Sequence, residues 1–176
     1  MNCKQAITEL YRYYDSYSRL PHLLEMQQNG KLRSKTFFQV LGEIWSYCDN
    51  INVCSDLAAV IYDQVWDHVA AGTMHVQAMM TREEQLALAA LPAKVEVYRG
   101  CGPVNRDGYS WTLDRKVAER FPRMARYHQD DPLLLKATID RSQIAALKLD
   151  RNESEVILFI LPNDEEIEEE ALSFAA

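Results

Sequence analysis

The hydrophobic period of this chain changes once, at Pro92, and that change limits the folds open to it. Upstream, apolar residues recur at helical spacing, and downstream they alternate. Ile7, Leu10, Tyr11 and Tyr14 predict a helix closed by Leu20-Pro21. After a turn at Asn29-Gly30, a broad stripe of Phe37, Val40, Leu41, Ile44, Trp45 and Cys48 predicts a second. Ser55-Asp56 reads as an N-cap for Leu57 to Val69, which Gly72 ends. Thr81 to Glu84 has the form of a capping box, in which Glu84 reaches back to the Thr81 amide. The helix it opens carries Leu86, Ala89 and Ala90 on its apolar face and stops ahead of Pro92.

Beyond Pro92, Val95 to Gly100 alternates as a strand, with Val95 and Val97 inward and Arg99 on that same inner face. A glycine-containing loop from Cys101 to Gly108 leads to a short strand, Tyr109 to Thr112. Leu113 to Tyr127 predicts a helix kinked at Pro122. Strands follow at Leu133 to Ile139, at Leu147 to Leu149 after a helical turn, and at Glu155 to Leu161. Helices first and strands later define an α+β chain. Residues 1–91 are the expected helical subdomain, 92–162 the strand-bearing core and 163–176 an acidic tail.

The 176 residues are 48% hydrophobic and 26% charged, enough for a packed core. The longest apolar run, Val156 to Leu161, is strand-sized, and Met1 is followed by polar sequence instead of a signal-peptide core, so a cytoplasmic protein away from membranes is expected. The net charge of −7 is uneven. Asp164, Glu165, Glu166, Glu168, Glu169 and Glu170 crowd one segment, which reads as a solvated, mobile end. The rest is close to neutral and gives no long-range attraction to phosphate backbones, so nucleic acid is not expected as a partner. Cys3, Cys48, Cys54 and Cys101 lack zinc-site spacing, and His22, His68, His75 and His128 lie apart from them, so no metal is expected. Without a secretory leader the thiols read as reduced.

Three features of the second half do not read simply as structure. An inward Arg99 needs a partner, expected to be anionic, because an unpaired buried guanidinium is costly. Ser110 and Thr112 stand two apart on a strand and present their hydroxyls on one face. Glu153 and Glu155 stand two apart at the head of the most apolar strand and are expected to point the same way. Each also has an ordinary explanation: a buried bridge from Arg99 to Glu155, strand hydroxyls, a solvated turn.

In that order, Tyr98-Arg99-Gly100, Tyr109-Ser110-Trp111-Thr112 and Glu153-Ser154-Glu155 resemble the arginine–serine–glutamate pattern of mono-ADP-ribosyltransferases of the small bacterial and phage type, over residues 93 to about 162. The serine motif departs from the family's Ser-Thr-Ser at Trp111 and Thr112. The resemblance implies a split β-sheet core with NAD as substrate and no metal. It implies that Arg99 holds an NAD phosphate, that Gly100 admits the nicotinamide amide, and that Ser110, braced by Thr112, orients the active-site glutamate and the nicotinamide ribose. It makes Glu155 the catalytic carboxylate, Glu153 the base for the incoming nucleophile, and Tyr109 or Phe121 a stacking surface. The implied acceptor is a protein, on arginine. Three alternatives stay open: an NAD glycohydrolase, a binding protein on a transferase fold without turnover, and a partner-binding module in the helical half. The helix after Thr112 carries Arg115, Lys116, Arg120, Arg123 and Arg126, which read as solvated surface or as a face for an acidic target.

Overall fold

The structure, a computed structural model, describes residues 1–49, 51, 57, 75–124, 127–150 and 153–173. The chain divides into two compact units, Met1–Arg82 and Glu83–Ala176. The helix predicted from Leu57 to Val69 lies, Leu57 apart, outside the described residues.

Among the described residues of the first unit are three α-helices: α1 (Cys3–Tyr13), α2 (Arg19–Gln28) and α3 (Ser34–Ile44). A reciprocal capping box between Asn2 and Gln5 starts α1. Its buried positions are Ala6 and Leu10, whereas Tyr11, expected inward, is exposed. Pro21 does not close the first element. It sits in the opening turn of α2, where a missing amide sacrifices no intrahelical bond. The stripe on α3 is the core of this unit: Phe37, Val40, Leu41, Ile44 and Trp45 are all buried, packed against α1, α2 and a 3-10 turn, His75–Met79. No helix among the described residues is long and apolar enough to cross a membrane.

The second unit begins with α4 (Arg82–Ala90), whose buried face is the reverse of the expected one: Glu84 is buried and Leu86 is 55% exposed. Six strands follow among the described residues: β1 (Lys94–Cys101), β2 (Ser110–Thr112), β3 (Leu133–Asp140), β4 (Ala146–Lys148), β5 (Glu155–Ile157) and β6 (Ile167–Ala171). The helix predicted from Leu113 to Tyr127 is shorter. It consists of α5 (Arg115–Arg120), capped by the Asp114 carboxylate on the Lys116 amide, and a 3-10 turn, Phe121–Arg123, that contains the proline. The α+β architecture is the one the periodicity predicts.

All strand pairs are antiparallel, in the order β4-β5-β2-β1-β3-β6. Pairing is not uniform across that order. β1 and β3 are in register from Lys94↔Asp140 to Cys101↔Leu133, but β1 and β2 share one pair, Tyr98↔Thr112. Two three-stranded halves are thus joined through one registered pair.

The acidic run is not a mobile end. Asp164–Glu166 forms a 3-10 turn, and the residues after it pair with β3 as an edge strand from Ala137↔Ile167 to Leu133↔Ala171. Its carboxylates find cations on the strands and helix beside it: Glu168 meets Lys136, Glu170 meets Arg115, and Glu169 with Asp164 meets Arg106. Local charge density argued for solvation, and these non-local cations offset it. Glutamates on an exposed edge also discourage strand addition by another molecule.

Candidate active site

The single junction between β1 and β2 opens into a narrow cleft. Its walls come from β1, β2, the start of α5 and the turn into β5. Of the residues singled out from the sequence, Arg99, Gly100, Ser110 and Thr112 line it, as do Phe121, Glu153 and Glu155. Tyr109 is not among the lining residues and packs edge-on against Phe159, with centroids 6.0 Å apart. Phe121 meets Tyr127 in a tilted ring contact at 5.4 Å.

Strand registry decides which side chains share a face. Tyr98 pairs with Thr112, Thr112 with Glu155, and Glu155 with Lys148, so these four form one row across β1, β2, β5 and β4. Ser110, two positions from Thr112, lies on the same face. Nothing in the alternation singles out Tyr98, yet it heads this row. Its hydroxyl donates to Glu96, which raises the phenol's pKa, while that bond and Lys136 lower the Glu96 carboxyl's.

Glu153 and Glu155 are joined by a strained residue. Ser154 has φ 43°, the left-handed region that costs a non-glycine residue about 1 kcal/mol. This breaks the simple two-residue alternation, and still both glutamates line the cleft. The Thr112 hydroxyl holds the turn, donating to the Glu153 carbonyl at 2.6 Å and accepting from the Asp114 amide at 3.1 Å. The Leu113 amide donates to the Ser154 carbonyl at 3.2 Å. One hydroxyl thereby ties the glutamate turn to the start of α5.

Arg99 differs from expectation in its partners. Its side chain falls on the opposite face from Glu155, with Val97 and Trp111, and the residue is 7% exposed. The guanidinium is held by carbonyls of the β1–β2 loop instead of an anion. Nε donates to Arg106 at 3.1 Å, Nη1 to Ser110 at 2.6 Å and Nη2 to Asn105 at 2.7 Å. Burial lowers its pKa, opposed by the nearby Cys101, Asp107 and Glu155. Gly108 packs directly on the guanidinium, where a β-carbon would overlap it. With three donors engaged, Arg99 shapes the wall that carries Ser110. These carbonyl partners differ from the anion expected for an inward arginine.

Gly100 also has a packing reason. A β-carbon there would overlap the Ala118 carbonyl and approach Pro122 Cδ to 2.8 Å, so the absent side chain makes room for α5 and the turn after it. Gly100→Ala is expected to destabilise the second unit by about 2 kcal/mol, because a helical carbonyl has little freedom to retreat. A thermal melt within one degree of wild type would show that α5 can shift after all.

Cys101 is buried, and burial raises its thiol pKa, so it lacks the character of a nucleophile. Among the described residues no group of three or more His, Cys, Asp or Glu side chains could hold a metal ion. The cleft therefore offers carboxylates, hydroxyls and aromatic surface around a narrow opening. No protein-family model, no curated protein and no solved structure matches the chain.

Proposed function

We propose that this protein transfers ADP-ribose from NAD to a protein acceptor, on arginine. The observation that supports the reading is the meeting of three sequence-distant segments, around Arg99, Ser110 and Glu155, at one cleft beside the single β1–β2 junction. The ADP-ribosyltransferase-like core belongs to this proposal, and so does a cytoplasmic setting, where reduced thiols such as Cys3 and Cys101 persist.

The chemistry asked of the cleft is heterolysis of the bond between nicotinamide nitrogen and ribose C1′. The bonding electrons leave with nicotinamide, which becomes neutral, and C1′ becomes an oxocarbenium-like cation. Glu155 supplies the counter-charge at that carbon, the task carboxylates perform in glycoside hydrolysis. A guanidine nitrogen of the acceptor then bonds to C1′, and Glu153 takes the proton it releases. Thr112 keeps the glutamate turn in place. Arg99 acts at one remove, fixing the loop that carries Ser110.

Incubation with adenylate-labelled NAD and a cell lysate tests the reading. Label is expected on protein, in a band absent without the enzyme. Free ADP-ribose without labelled protein would make water the acceptor and the protein a glycohydrolase. Intact NAD would remove the enzyme reading.

A further inference from the structure

A lysine on an edge strand ordinarily runs its stem along the surface and leaves its ammonium in water. Lys148, on the edge strand β4, does not: it is 7% exposed, and its partner Glu84 is 5% exposed. The Glu84 carboxylate accepts from Lys148 Nζ at 3.1 Å and from the Leu149 amide at 3.2 Å. The other end of α4 is fastened too, since Arg141 Nη1 donates to the carbonyls of Ala89 (2.8 Å) and Leu91. The ammonium is therefore tied to a helix that is itself tied down at both ends. Desolvating a lysine and a glutamate is costly, and an apolar pair of similar volume would often hold a helix to a strand as well.

Registry gives this pair a neighbour. Lys148 is the direct cross-strand partner of Glu155, so the two side chains lie on the same face of adjacent strands. We propose that Lys148, anchored by Glu84, is a positioning residue for Glu155, keeping that carboxylate ionised and directed at the cleft. The inference rests on the role given to Glu155 in ADP-ribosyl transfer. Among the described residues, charged groups on the neighbouring elements bear on Glu155. Lys148 on β4 and Arg99 on β1 favour its ionised form, while Glu153 in the preceding turn and Glu84 on α4 oppose it. Glu84 is also the partner that keeps the ammonium in place.

The test compares Lys148→Met, Lys148→Arg and the double variant Glu84→Gln/Lys148→Met, which leaves neither charge of the buried pair alone. NAD turnover is measured beside a carbon-13 NMR titration of the Glu155 carboxyl and a thermal melt. In the folded double variant the Glu155 midpoint is expected to rise by about one pH unit, with kcat down about tenfold and KM for NAD within about twofold. Lys148→Arg, which keeps the charge, is expected to retain more turnover than Lys148→Met. A folded double variant with unmoved midpoint and unchanged kcat would reduce the pair to an anchor for α4 and overturn the proposal. If the wild-type protein leaves NAD intact, the enzyme reading fails instead. The NMR midpoint then still decides the coupling: a shift upholds it and an unmoved midpoint overturns it.

Discussion

Glu155→Gln is expected to lower the rate of NAD consumption by at least about a hundredfold while the protein melts as the wild type does. The substitution keeps the size of the side chain and removes only its charge. A preorganised group facing a developing charge is worth about two to three orders of magnitude in kcat when removed. Glu155 is partly exposed at the cleft and heads β5, where Val156 and Ile157 behind it are buried, and glutamine preserves the shape of the side chain there. The expected loss falls on kcat, because the cation it opposes exists only as nicotinamide departs. Wild-type and variant rates measured with saturating NAD, next to their melting curves, decide the matter. A variant with full rate would mean that some other group supplies the counter-charge.

Arg99→Met is expected to cost the second unit about 4 kcal/mol of stability. Three carbonyls, from Asn105, Arg106 and Ser110, would lose their donor in a part-buried setting, and an unsatisfied buried group costs about 1–3 kcal/mol. Gly108 would face a side chain that fills the space and forms no hydrogen bonds. Arg99→Lys is expected to recover only part of the loss. It restores a charge, but a single ammonium does not reproduce a planar fork that reaches three oxygens. Chemical denaturation of the three proteins reads this directly, and a loss below about 1 kcal/mol for Arg99→Met would show that the loop finds other donors. Because the Trp111 indole donates to the Gly108 carbonyl at 3.1 Å, its fluorescence reports on the same loop.

Arg99 on β1 and Arg106 in the loop divide the work of holding that loop. Arg99 binds its backbone from inside, and Arg106 reaches outward to Asp164 at 2.8 Å and Glu169 at 3.1 Å. Those outer pairs are largely exposed, so each adds little to stability and weakens as salt rises. The acidic segment is nevertheless part of the folded unit, held by the strand ladder to β3 more than by its charges.

Periodicity was enough for most of the described elements, α2 and β6 apart, and for much of the core. The stripe from Phe37 to Trp45 is buried as its spacing requires, and Val95, Val97, Arg99 and Cys101 alternate inward along β1. The three segments that line the cleft were also legible, because residue types two apart on a strand announce a shared face. Other readings failed where a partner far along the chain outweighed the local pattern. Glu84 turns inward and Leu86 outward because Lys148 and the Leu149 amide, more than sixty residues on, receive the carboxylate. Glu168 to Glu170 form a strand because β3 offers an open edge with Lys136 beside it.

What the order of residues determined by itself was the α+β division at Pro92 and the inward place of Arg99, since each follows from the geometry of neighbouring residues along one element. Only the tertiary structure decided what Arg99 binds, that Lys148 stands beside Glu155, and that an acidic run closes a sheet. A buried charge takes its partner from whatever the folded chain brings within hydrogen-bonding distance, and strand registry between distant segments carries no local signature.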